Sequence, residues 1–281
     1  MLNTTFYIYL MSRWKSIAVW SICMFALALM FTSLYDPFKG EFDDMLDNAP
    51  ALMEAMLGPI PTDSSISPEV WLGIELYGLL FPIMISVIAI SAGASAVGSE
   101  EESGTIELIL ASPISRERII YEKSFGILAQ LAIMGGVLWL GIVVGSFLFP
   151  FDVSLINVLS ATVMGCIFGL TISNLTLATQ ALKGRKGLAL AIGSCFVGIS
   201  YVFNVLSGIS DNLHSLKYVS LFNYYDGPGV LVNGLNTTSL IVMVCLSAVC
   251  FTTALYVFCL LYTSDAADEG LGVDLGGRRI I

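Results

Sequence analysis

The chain has 281 residues, of which 56% are hydrophobic and only 12% charged, with a formal net charge of -10. Soluble domains carry roughly 25% charged residues, so a soluble two-domain reading leaves long apolar runs without polar cover. Nucleic-acid binding is disfavoured, because no basic stripe is present to neutralise phosphates.

A run of about 20 apolar residues crosses a bilayer as a helix. Six such runs follow one another, at 16–34, 71–97, 125–149, 153–182, 188–206 and from near 240 to about 258. The first is too long for a signal-peptide core, and Asp36 and Pro37 stand where small cleavage-site residues belong. Before it, Phe6, Tyr7, Leu10, Met11 and Trp14 mix with Arg13 and Lys15, which suits a short helix on the membrane surface. Residues 35–70 then form an acidic loop with an amphipathic helix around 45–57, interrupted at Pro50. In the second run Glu75 lies near the start and Pro82 predicts a kink. Gly141-x-x-x-Gly145 and Gly165-x-x-x-Gly169 allow close helix approach in the third and fourth. The segment 207–238 holds the lone His214 with Tyr218, Phe222, Tyr224 and Tyr225; it reads as an interfacial aromatic belt, with an outer gate as the alternative.

With the N-terminus in the cytoplasm, Arg13, Lys15, Arg116, Arg118, Lys123, Lys183, Arg185 and Lys186 face inward, while Lys39 and Lys217 face out. That bias is the positive-inside pattern. Cys23, Cys166, Cys195, Cys245, Cys250 and Cys259 all fall in apolar runs with no paired spacing, so they read as packing residues. Residues 259–281 resemble in-frame translations of sequencing-library adapter DNA on either side of Gly270-Leu271-Gly272. The expected organisation is therefore a six-helix permease domain over 1–258 and a non-native tail over 259–281.

Past Glu75, the six runs contain no Asp, Glu, Lys, Arg or His, groups that ion-coupled carriers keep as relays. Nucleophile–base pairs, ligand clusters and phosphate loops are also missing from the sequence. The expectation is a non-enzymatic chain with no catalytic, cofactor or metal site. Polar residues in the runs, among them Gln130, Thr171, Asn174, Gln180 and Asn204, are candidates to line a pore or to make polar helix–helix contacts. Gln130, Asn174 and Asn204 are taken as the pore candidates.

The functional signal lies between the second and third runs. Glu100, Glu101 and Glu102 follow the second run, and Gly104 loosens the chain. Residues 105–111 suit two helical turns with Ile106, Ile109 and Leu110 on one side. Pro113 ends that helix and Ser115 caps the next, which opens with Arg116, Glu117 and Arg118. A short, partly apolar helix on the cytoplasmic face needs burial, and a partner's groove supplies it.

This segment resembles the first cytoplasmic loop of ABC-2 type transporter permeases, membrane subunits of bacterial ABC exporters. The resemblance rests on Glu101, Glu102, Gly104, Thr105, Glu107, Leu108, Leu110, Ser112, Pro113, Ser115, Arg116 and Lys123. It implies an all-α polytopic membrane protein with six transmembrane helices and a coupling helix between helices 2 and 3. It implies coupling roles for Glu101, Glu102, Gly104, Thr105, Glu107, Leu108, Pro113 and Arg116. It also implies a separate ATP-binding cassette subunit that carries ATP and Mg, and a homodimer or second permease subunit. Such a chain sits as a multi-pass protein in a bacterial or archaeal plasma membrane and exports its substrate. A secondary transporter or channel acting without an ATPase is the alternative, and a membrane scaffold is a third reading.

Overall fold

The computed structural model describes residues 4–48, 67–102, 104, 115–209 and 211–272. Among them there is no strand, and six helices are long and apolar enough to cross a membrane. In chain order the elements are α1 (Thr4–Asn48), α2 (Pro68–Leu72), a π-helical stretch (Gly73–Leu80) and α3 (Phe81–Glu102). Then come α4 (Arg116–Leu148), α5 (Leu155–Lys183) and α6 (Lys186–Ile209). A 3₁₀ helix (Asp211–Tyr218), α7 (Leu221–Tyr225), α8 (Gly227–Asn233) and α9 (Thr237–Gly272) complete the described elements. The end of α3, the start of α4 and the turn at 184–185 lie at the end that carries the N-terminus.

Helix α5 is the centre of the bundle, packed against α3, α4, α6, α8 and α9. Its buried hydroxyls return to their own helix: Thr162 donates to Val158 O at 2.8 Å, Thr171 to Ile167 O at 2.9 Å and Thr176 to Ile172 O at 2.8 Å. A hydroxyl satisfied in this way can be buried without a partner helix supplying an acceptor. Gly184, in the left-handed region at φ 60°, stops α5, because a side chain there would be strained.

The glycine spacing in α4 does what it allows: α1 lies directly on it. A Cβ on Gly141 would come within 2.6 Å of the Ala28 Cβ, and one on Gly145 would overlap Thr32. Close approach of this kind maximises van der Waals contact where lipid removes the usual hydrophobic drive.

Three local expectations change. From Thr4 the N-terminal segment and the first span are one continuous helix, where a separate surface helix was expected. Tyr9 is buried and donates to Gln130 Oε1 at 2.9 Å, which fixes that turn on α4. Helix α1 also runs past Pro37, the point at which the sequence suggests a loop. Tyr35 holds it there, with its ring 5.2 Å from Phe151 and 6.2 Å from Trp71. Tertiary packing thus outweighs the one hydrogen bond that proline removes. The expected helix around 45–57 falls largely outside the described residues. The irregularity expected at Pro82 takes the form of the π-helical stretch just before it, where Phe81 N–H reaches Leu76 O. Widening the preceding turn relieves the clash between a proline ring and the carbonyl four residues back.

The aromatic segment after α6 is more than an interfacial belt. Tyr218 is 63% exposed, but Phe222 and Tyr225 are buried against Phe168 of α5, with ring centroids 5.0 and 5.2 Å away. Tyr225 donates to Tyr77 O at 2.9 Å, an acceptor inside the π-helical stretch. Burial holds the Tyr225 phenol well above the usual tyrosine range, so it keeps the proton that it donates. His214 lies exposed, 2.6 Å from Lys217 Nζ.

Asp226 sits between α7 and α8 at φ 35°, and its carboxylate accepts from Gly229 N–H at 3.2 Å, capping α8. Asp226→Ala removes the cap and strains the backbone, for an expected loss of about 1–2 kcal/mol. Asp226→Asn keeps both the cap and tolerance of positive φ. Thermal unfolding in detergent should place the Asn variant near wild type and the Ala variant several degrees below it.

Candidate functional site

The segment singled out by the sequence joins α3 to α4. Thr105, Glu107, Leu108 and Pro113 lie outside the described residues, as do the side chains of Glu101 and Arg116. What the structure describes is how both ends of this segment are anchored.

On the α3 side, Glu102 accepts from Lys186 Nζ at 3.2 Å, which ties the end of α3 to the first residue of α6. Gly104 follows in the left-handed region at φ 68°, so the chain turns away where a residue with a Cβ would be strained. On the α4 side, three successive polar residues are nearly buried: Glu122 is 7% exposed, Lys123 2% and Ser124 8%. Glu122 accepts from Arg118 Nε at 2.8 Å and from Thr5 N–H, in the first turn of α1, at 3.1 Å. The Thr5 contact satisfies an N–H that has no partner within its own helix. Lys123 Nζ donates to Ala96 O, near the end of α3. The segment is therefore mounted on four helices: α1 through Glu122, α3 through Lys123, α6 through Glu102 and α4 as its own continuation.

This burial is what the sequence did not reveal. The helix opens at Arg116 as expected, but Glu122 and Lys123, which read as charges ahead of a span starting near 125, are taken inside the bundle end. An acidic and a basic residue followed by an unbroken apolar run were the available signal. Periodicity alone does not show that α1 and α3 cover this turn of the helix.

The three pore candidates are not brought together. Gln130 is 1% exposed and bonded to Tyr9 at the interface between α1 and α4. Asn204 is half-buried on α6. Asn174 donates to Ser247 Oγ at 3.1 Å and lines a cavity of about 310 Å³ between α4, α5 and α9. The cavity wall is otherwise mostly apolar, with Tyr121, Phe125, Leu170 and Phe251 prominent. Asn174 Oδ1 and Ser124 Oγ have no hydrogen-bond partner among the described residues. The remaining polar candidates of α5, including Thr171 and Gln180, are buried in the bundle.

Six membrane-length helices in one bundle with α5 at its centre, and a connecting segment anchored to four of them, define a polytopic helical membrane protein. The family model for the multidrug efflux system permease Rv1217c, C-terminal domain, matches residues 2–259, and the chain belongs to that family of efflux permeases. A comparison with curated proteins gave no match.

Proposed function

We propose that this chain is the membrane-spanning subunit of an ABC-2 type exporter and that a separate ATP-binding cassette subunit drives it through the segment between α3 and α4. The observation that carries the reading is the mounting of that segment. A push on residues 103–115 reaches α1, α3, α4 and α6 through Glu122, Lys123 and the Glu102–Lys186 pair. The efflux-permease family and the Gly104-Thr105…Glu107-Leu108…Pro113 pattern support it. ATP and Mg bind the partner subunit, and no covalent chemistry occurs in this chain. The N-terminus and the segment face the cytoplasm, consistent with the inward bias of basic residues. A second permease subunit, identical or related, completes the pathway in a bacterial or archaeal plasma membrane.

The Glu102–Lys186 pair gives a direct test. Glu102 is 58% exposed in its side chain, so the pair contributes about 0–1 kcal/mol to stability. Its importance would be positional. Glu102→Lys and Lys186→Glu alone should each lower ATP-dependent efflux several-fold with little change in thermal unfolding, and the double swap should restore it. Single variants with wild-type efflux would remove this contact from the coupling route.

A further inference from the structure

The second span opens with a π-helical stretch, a rare winding that is frequent at functional sites. The local sequence is fitted to it. In this register each N–H bonds the carbonyl five residues back, and Phe81 N–H accordingly bonds Leu76 O. The next carbonyl, Tyr77 O, falls to residue 82, which is a proline with no N–H. Tyr225 of α7 supplies the missing donor, with its hydroxyl 2.9 Å from Tyr77 O. Tyr77 is 0% and Tyr225 2% exposed, and a carbonyl left without a donor at such a depth is costly.

An α register changes these partners. Phe81 N–H would bond Tyr77 O, four residues back, and Pro82 would instead leave Gly78 O without a donor. Tyr77 O is thus served by Tyr225 in one register and by Phe81 N–H in the other. Two further contacts belong to the π form. A Cβ on Gly78 would stand 2.6 Å from Gly73 O, five residues back, so this winding favours glycine at 78. Pro228 of α8 packs over the same two glycines, 3.4 Å from a Cβ placed on Gly73 and 3.5 Å from one placed on Gly78.

We propose that Tyr225 is a positioning residue for transport: its hydroxyl latches Gly73–Leu80 in the π register, and its release lets this stretch rewind as α-helix. The latch joins the segment between α6 and α9 to the second span, whose other end is α3 with Glu102. Rewinding turns the residues before Phe81 about the helix axis relative to those after it, because a π turn holds more residues than an α turn. Movement at one end of the second span is thereby linked to the packing of α7 and α8 at the other. As a step in transport the latch rests on the efflux reading above. The register is measured on this chain without an ATPase, so failure of the latch and failure of the ATPase assignment read separately.

The test determines the structure of the full chain in nanodiscs, enlarged by a bound antibody fragment, by electron cryomicroscopy as wild type, Tyr225→Phe and Gly78→Ala. Tyr225→Phe removes one hydroxyl and keeps the ring against Phe168. Gly78→Ala crowds Gly73 O and leaves Tyr225 in place. Wild type is expected to show Phe81 N–H on Leu76 O, and both variants Phe81 N–H on Tyr77 O. In Gly78→Ala the Tyr225 hydroxyl should also move off Tyr77 O. ATP-dependent efflux by the reconstituted complex should fall at least fivefold in Tyr225→Phe. It should stay near wild type in Tyr224→Phe, which removes a hydroxyl bonded only to the exposed Tyr218 O. An α register in wild type, a π register retained in either variant, or a rewound Gly78→Ala with the Tyr225 bond intact overturns the latch. Wild-type efflux in a rewound Tyr225→Phe overturns its role in transport.

Discussion

Glu107→Lys is expected to reduce ATP-dependent efflux at least tenfold and to abolish the substrate-linked part of the partner's ATP hydrolysis, while thermal unfolding stays within a degree or two of wild type. A docked helix places its charges against complementary charges on its partner, and reversing one there costs several kcal/mol. Each 1.4 kcal/mol corresponds to a factor of about ten. The same reversal on an unpartnered surface usually changes stability by only about 0.5 kcal/mol. Glu117 supplies the control. It is also acidic, lies just beyond the segment in the first turn of α4, and is exposed. Glu117→Lys should leave efflux intact. Equal loss in both variants would point to a general electrostatic effect at this face, and no loss in Glu107→Lys would count against docking through 105–111.

The second large effect concerns packing. Gly93 of α3 lies against the backbone of α5, where a Cβ would overlap Ser173 O and come within 3.0 Å of the Thr176 Cβ. Neither neighbour can move away easily, because α5 is also packed against α4, α6, α8 and α9. Gly93→Leu should cost about 3 kcal/mol or more through overpacking. Gly136→Leu, at a position with nothing within 4 Å, should be tolerated. Thermal unfolding in detergent and yield of monodisperse protein distinguish the two, and equal melting would contradict the close α3–α5 crossing.

The six spans were legible because a bilayer demands long apolar runs, and each expected run falls on one of the membrane-length helices to within two residues. Their ends were less legible. Pro37 looks like a terminator until Tyr35 is seen packed on Phe151, a contact between residues more than a hundred positions apart. Gly141 and Gly145 announced a close crossing, but nothing in their spacing named Ala28 and Thr32 as the partners. Phe222 and Tyr225 have the composition of an interfacial belt; only the fold shows them inserted against Phe168. At the candidate site the sequence supplied the residues of the segment. The structure added its mounting through Glu122, Lys123 and Lys186, which depends on helices distant in sequence meeting at one end of the bundle.

A separate ATPase is the central element of the proposed mechanism. The most direct measurement is reconstitution of the purified chain into proteoliposomes, with and without any ATP-binding subunit found to copurify with it from native membranes, following ethidium movement on addition of ATP and Mg. The account predicts movement only with both proteins and ATP present, and its loss in Glu107→Lys. Movement by the chain alone, or failure of any ATP-binding subunit to copurify and confer ATP dependence, would contradict it.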